Sequence, residues 1–343
     1  MKTISLGPLK IYPYGLALAV SALFALLLMQ LQSENQKGNG QRSGHLKAGT
    51  VSWFAVFAIP LGLLLGRFAY FLCSLSWFLD RGVETVFRLN EGGYMFYGVM
   101  AGLALAAFVT GKITRQRPAA IMDAAAAPFA LFVALARAAE FFANTGMGEY
   151  VEEWFDPMLE RTMFPLEDAS FFLRFPFALQ DQYGDWCFAV FLLEAIAALV
   201  IFFLVNRSEC RRAGTKALLF LALYASLQTV LESLRIDLEL KWGFVKVNQL
   251  LVLPALALVT CCCLVRARGR QDLFRSVLVR AGLILLCCGV IMAMEFALEK
   301  KIGFLAWMRM DLCWMVMGAA AITMAVISGG MVKKTDLIQE GAA

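Results

Sequence analysis

The sequence predicts an all-α polytopic membrane bundle of about nine spans, on three observations. Of its 343 residues, 60% are hydrophobic and only 17% charged, whereas a soluble domain is about half apolar and about a quarter charged. Its mean hydropathy is +0.69. The apolar residues are gathered into runs near 12–31, 51–78, 93–111, 119–143, 186–205, 217–233, 247–265, 275–297 and 306–329, close to the roughly 20 residues that a bilayer-crossing helix needs.

The first run, from Tyr12 to about Leu31, is longer than the apolar core of a signal peptide. It is followed by a basic loop rather than a mature domain, and so reads as span 1. Basic clusters then recur after every odd span: Lys37, Arg42 and Lys47; Lys112, Arg115 and Arg117; Arg207, Arg211, Arg212 and Lys216; Arg266, Arg268 and Arg270; and Lys333 with Lys334. Positive loops stay in the cytoplasm, so this alternation predicts an outer N-terminus and a cytoplasmic C-terminus. The same distribution accounts for the net charge of +5 without a nucleic-acid partner. Residues 144–185 form the longest stretch outside the runs. They are acidic and aromatic, with Trp154, Phe171, Phe172, Phe175 and Phe177, a composition suited to the outer headgroup interface. Of the nine cysteines, Cys261, Cys262, Cys263, Cys287, Cys288 and Cys313 lie inside apolar runs, and His45 is the single histidine. That spacing predicts neither a disulfide framework nor a metal site.

Charges at membrane depth are informative, because each costs about 2.5–3.5 kcal/mol at a helix centre on insertion scales. Arg67 lies deep in span 2 and Glu194 near the middle of span 5; Arg137 and Glu140 share one face of span 4. In span 6, Tyr224, Gln228, Glu232 and Arg235 follow at steps of four, four and three, which stacks them on one stripe. Such a stripe must face the bundle interior. It serves either to pair with other polar groups and hold the helices together, or to line a binding cavity. Gly92 and Gly93 open span 3, and Gly98 with Gly102 makes a GxxxG step for close approach of another helix or a lipid.

Taken in order, these segments resemble the bacterial prolipoprotein diacylglyceryl transferases over roughly residues 10–265. The matching features are Tyr14-Gly15 in span 1, Gly66-Arg67 with Tyr70 in span 2, and GGYMFYGVMAG at 92–102. They continue with Asp123, Pro128 and Arg137 in span 4, YASLQTVLESLR in span 6, and Asn248-Gln249 at the start of span 7. The resemblance implies a seven-span transferase-like core over 1–265, with an outer head near 144–185. Two additional C-terminal spans and a short tail occupy 266–343. It implies a bacterial inner-membrane enzyme that moves the diacylglyceryl group of phosphatidylglycerol to the lipobox cysteine thiol of a prolipoprotein signal peptide, with no cofactor. A thioether forms and glycerol phosphate leaves.

That reaction needs cations for the phosphate, which guanidinium groups hold bidentately. It also needs a group to take the thiol proton, since a thiol has a pKa of about 8.5 and a positioned base contributes about 10²–10⁴-fold. The resemblance assigns catalysis to Arg137, Tyr97, Glu232 and Tyr224, with Glu232 as base or orienting group and Glu140 as the other candidate for that role. It assigns substrate binding to Tyr14, Arg67, Gly92, Gly93, Gly98, Asp123, Glu140, Gln228, Arg235 and Gln249. The chain departs from the family at three of these positions: Tyr97 stands where the family has a histidine, Gln228 where it has a second arginine, and Glu140 where it has an asparagine. The stretch leading into span 5, with Gln180, Gln182 and Tyr183, also differs. These changes open a second reading, a lipid-binding accessory protein or a transferase with another acceptor.

Overall fold

The computed structural model describes residues 4–6, 9–38, 46–75, 78–79, 84, 87, 92–166, 168–181, 183–236, 240–242, 245–299, 303 and 307–337. Arg42, His45 and Gln182 lie outside these. The fold is helical with almost no strand. A short antiparallel pair of β1 (Ile4–Leu6) and β2 (Leu9–Ile11) leads into α1 (Pro13–Gly38), α2 (Thr50–Cys73), α3 (Phe96–Thr114) and α4 (Pro118–Ala143). A head segment follows, with α5 (Val151–Phe155) and an antiparallel pair of β3 (Ala178–Gln180) and β4 (Trp186–Phe188). Then come α6 (Val190–Asn206), α7 (Thr215–Ser233), an antiparallel pair of β5 (Lys241–Trp242) and β6 (Val245–Lys246), α8 (Val247–Ala267), α9 (Gln271–Leu298) and α10 (Met310–Leu337).

Among the described residues, α1, α2, α3, α4, α8, α9 and α10 are long and apolar enough to cross a membrane. The predicted spans 5 and 6 are α6, with only 17 residues, and α7, which carries the polar stripe. The burial pattern explains the difference. Helix α7 runs through the middle of the bundle, touched by α4, α6, α8 and α10, and is buried along most of its length, so it need not present an apolar face to lipid. The outer helices do the reverse: Leu23 on α1, Val56 on α2, Leu285 on α9 and Val326 on α10 are exposed.

Boundaries shift for local reasons. Span 5 was expected from 186, but Trp186–Phe188 pairs with β3 and the helix begins at Val190. Span 3 was expected from 93, but Gly92 and Gly93 take φ of 75° and 72°, a left-handed conformation that glycine adopts without strain; the helix starts at Phe96. Span 9 continues past 329 to Leu337, because Asp336 is itself an anchor, accepting hydrogen bonds from the backbone N–H of Arg211 and Arg212, both at 2.8 Å.

Contacts gather the basic clusters at one end of the bundle. Gln32 at the end of α1 donates to Asn206 at the end of α6 (2.9 Å), and Lys47 donates to the carbonyl of Thr114 at the end of α3 (3.2 Å). Arg266 at the end of α8 donates to Thr215 (3.0 Å), and Lys334 to Ser276 (3.0 Å). The head lies at the opposite end, knit by aromatic contacts such as Phe155–Phe172 (5.0 Å between centroids) and Phe171–Phe177 (5.2 Å).

Candidate active site

Near the head end of α4, the one-turn spacing of Arg137 and Glu140 turns both side chains inward. Arg137 Nη1 lies 2.7 Å from Glu140 Oε1 and 3.3 Å from Glu194 Oε2 on α6. Arg235, just beyond the last residue of α7, reaches the same two carboxylates, 3.2 Å from Glu140 Oε2 and 2.8 Å from Glu194 Oε2. Each arginine touches both acids, closing a ring of four charges. The ring is buried: side-chain exposure is 1% for Glu194, 6% for Arg235 and 8% for Glu140. Well-packed apolar residues in place of such a buried ion pair are often neutral or stabilising. Stability alone therefore gives little reason to keep this ring, and charges at membrane depth point to function.

A second set of polar contacts extends from the ring along α7. The Gln228 amide donates to Glu194 Oε1 (3.1 Å) and Glu232 Oε2 (2.5 Å). Asn248, in the first turn of α8, donates to Glu232 Oε1 at 2.7 Å, so the fully buried Glu232 is held by donors from two helices. Lys246 Nζ donates to the backbone carbonyls of Glu232 and Arg235. It thereby places a cation at the C-terminus of α7, where the last carbonyls lack intrahelical partners. Gln249 donates to the Thr229 carbonyl (3.0 Å) and to Glu295 on α9 (2.7 Å).

Three tyrosines border these charges. Tyr14, half-buried on α1, interacts electrostatically with Glu140, Arg137 and Arg235. Tyr224 lies beside Arg137, Glu194 and Glu232, and Tyr97 on α3 faces Tyr224 and Glu232. The Tyr97 hydroxyl and the Asn248 side-chain oxygen are buried and have no hydrogen-bond partner among the described residues, whereas the Tyr224 hydroxyl meets the Arg137 guanidinium. Buried polar groups are seldom left without a partner, and here two are unfilled around one carboxylate. Tyr224 also starts an aromatic stack with Phe96 (4.2 Å) and Phe220 (5.7 Å), which continues to Phe129 (5.5 Å from Phe220). Phe129 and Phe220 in turn line an apolar groove of about 550 Å³ shared with Phe54, Met100 and Leu258, with Arg266 at its basic end.

The structure thus brings together Tyr14, Tyr97, Arg137, Glu140, Tyr224, Gln228, Glu232, Arg235 and Gln249. Other expected site residues have different surroundings. Arg67 donates to the carbonyls of Gly92 and Gly93 and lies 5.4 Å from the Phe78 ring centre, so it braces the glycine turn that leads into α3. Gly98 meets α2, where an added Cβ would stand 2.5 Å from the Leu65 carbonyl oxygen; the helix partner, not lipid, occupies the GxxxG face. Asp123 accepts from the backbone N–H of Gly214 (2.6 Å) and Ala217 (3.0 Å), capping α7 at the basic end. Its 14 residues from Arg137 are about 21 Å of helix. Glu194, noted only as a charge in a span, is central to the ring. Lys246 and Glu295 are further members of the network, outside the set that the sequence points to. Among the described residues, no three His, Cys, Asp or Glu side chains are arranged to hold a metal ion.

Comparison with known proteins bears on this arrangement. The family model for prolipoprotein diacylglyceryl transferase matches residues 2–265, the segment from β1 to the end of α8. Similar proteins named phosphatidylglycerol–prolipoprotein diacylglyceryl transferase include one from Symbiobacterium thermophilum, 26% identical, covering 75% of this chain and 89% of that protein. One from Lactococcus lactis is 24% identical over 72% and 86% of the two chains. One from Trichormus variabilis is 26% identical over 74% and 85%.

Proposed function

Because this chain belongs to the prolipoprotein diacylglyceryl transferase family, we propose that it transfers the diacylglyceryl group of phosphatidylglycerol to the cysteine thiol of a prolipoprotein at the ring of Arg137, Glu140, Glu194 and Arg235. The observation that carries this reading is the convergence, at membrane depth, of two arginines with two unfilled polar atoms around Glu232. The thiol sulphur bonds to the glyceryl carbon as the carbon–oxygen bond to phosphate breaks. The thiol proton passes to Glu232, and the departing glycerol phosphate takes the additional negative charge.

Arg137 is the principal catalytic cation. It is the most exposed member of the ring, at 17% against 1–8% for its partners, and so the one a lipid phosphate reaches first. The phosphate replaces a carboxylate on its guanidinium, and Arg235 supports it. The Tyr97 and Tyr224 hydroxyls donate to the phosphate oxygens, and the Asn248 oxygen accepts from a glycerol hydroxyl. Gln228 holds Glu194 and Glu232 through one amide, so the family's second arginine is replaced by a bridge. The acyl chains lie along the Phe96–Tyr224 stack and the apolar groove. Residues 1–265 carry this chemistry, with α9 and α10 added to it. The basic end faces the cytoplasm and the head the outer side of a bacterial inner membrane, since positive loops are retained inside. The accessory reading is not favoured, because relatives matching about three-quarters of the chain are named as transferases.

The test uses the purified protein in phosphatidylglycerol vesicles with a lipobox peptide, following peptide lipidation by mass. Wild type is expected to lipidate the peptide. Arg137→Ala, still folded, is expected to lose at least about 10²–10³-fold in kcat, the range seen for losing one donor to a developing anion. Unchanged turnover in Arg137→Ala would remove Arg137 from the mechanism.

A further inference from the structure

We propose that Glu295, on helix α9 beyond the family-matched segment, is a positioning residue for this site; the inference rests on the transferase reading above. Glu295 Oε1 accepts from Gln249 Nε2 at 2.7 Å. The same amide nitrogen donates to the carbonyl of Thr229, 3.0 Å away and three residues before Glu232. The amide oxygen accepts from the backbone N–H of Lys246 at 3.3 Å. Gln249 is therefore held on three sides. Its neighbours in sequence are the groups that shape the site: Lys246, which grips the carbonyls of Glu232 and Arg235, and Asn248, which donates to the Glu232 carboxylate. Without Glu295 the amide loses the acceptor that fixes its direction, and the start of α8 is free to shift against Glu232.

Helix α9 does not need this carboxylate to stay in place. Ile284, Ile291 and Met294 are buried, and its partner α10 is fastened at both ends. At the head, Asp311 Oδ2 accepts from Thr162 Oγ1 and the Met163 N–H, both at 2.8 Å, Arg309 donates to the Thr162 carbonyl (3.0 Å), and Trp314 stacks on Trp154 at 4.7 Å. At the basic end, Asp336 holds the turn before α7. A carboxylate in an apolar helix is a costly fastening where apolar packing already serves. Its use is the contact it makes into the site through Gln249.

The experiment measures kcat and KM of the full chain in phosphatidylglycerol vesicles for Glu295→Ala, Glu295→Gln and a lipid-facing control on the same helix, Leu285→Ala. Glu295→Ala is expected to lower kcat about 10- to 100-fold, the scale of a small misplacement of reacting groups, with KM for the peptide nearly unchanged. Glu295→Gln retains an accepting oxygen and is expected to recover most of that loss; Leu285→Ala is expected to match wild type. Wild-type kcat in Glu295→Ala would overturn the proposal, as would a loss that glutamine does not restore. A wild type that lipidates nothing would instead sink the transferase reading. The Glu295–Gln249 contact is then judged by a double-mutant cycle on melting temperature, where coupling supports the proposal and additive losses overturn it.

Discussion

Glu194 Oε2 is the atom on which both guanidiniums of the ring meet, at 3.3 Å from Arg137 and 2.8 Å from Arg235, while Oε1 takes the Gln228 amide. Removing it leaves two buried cations sharing Glu140, and breaking a buried ion pair from one side costs about 3–5 kcal/mol. Glu194→Ala is therefore expected to lower the melting temperature in detergent clearly, whereas an exposed charge such as Arg268 is expected to have little effect when changed to alanine. A Glu194→Ala protein melting with wild type would mean that the ring does not bear on folding. The ring was largely legible in the sequence, because a charge among apolar residues stands out: Arg137, Glu140, Glu194 and Arg235 were visible in this way, as was the neighbouring Glu232. Lys246 was not, since it sits at a loop edge where charge is ordinary. Glu295 carries the same signal as Glu194, but nothing in the linear order names Gln249 as its partner. Asp123 shows the opposite case, a charge in an apolar run whose oxygens serve the backbone of the turn before α7.

At the scale of elements, α2 and α3 meet through paired glycines, Gly62 and Gly66 on one helix against Gly98 and Gly102 on the other. An added Cβ at Gly98 would stand 2.5 Å from the Leu65 carbonyl oxygen and 2.6 Å from the Ala69 Cβ. Gly98→Ile is thus expected to separate the helices, destabilise by about 1–3 kcal/mol or more, and move the adjacent Tyr97; a lower melting temperature together with lower kcat checks this, and a variant matching wild type in both contradicts it. Spans were readable from run length and basic punctuation, with ends off by a few residues. The ends missed because local chemistry set them: the left-handed pair at Gly92 and Gly93, the pairing of Trp186–Phe188 with β3, and the side chain of Asp336. Helix α7 was readable as a short apolar run with a polar stripe, while the burial that excuses it from being strongly apolar belongs to its neighbours.

At the scale of the whole molecule, the two ends differ. One collects the basic loops, tied together by Asp123, Arg266 and Asp336; the other carries the aromatic head and, just beneath it, the charge ring. Helix α10 joins both, fastening the head through Asp311 and Trp314 and the basic end through Asp336. The departures from the family at Tyr97, Gln228 and Glu140 all fall within the polar network beneath the head. The most direct measurement is complementation: the protein is produced in cells depleted of their own prolipoprotein diacylglyceryl transferase, and lipidation of a reporter lipoprotein is followed by its gel shift. The expected result is restored lipidation that disappears with Arg137→Ala. Absent lipidation with the protein inserted in the membrane, or restored lipidation that survives Arg137→Ala, would contradict the account.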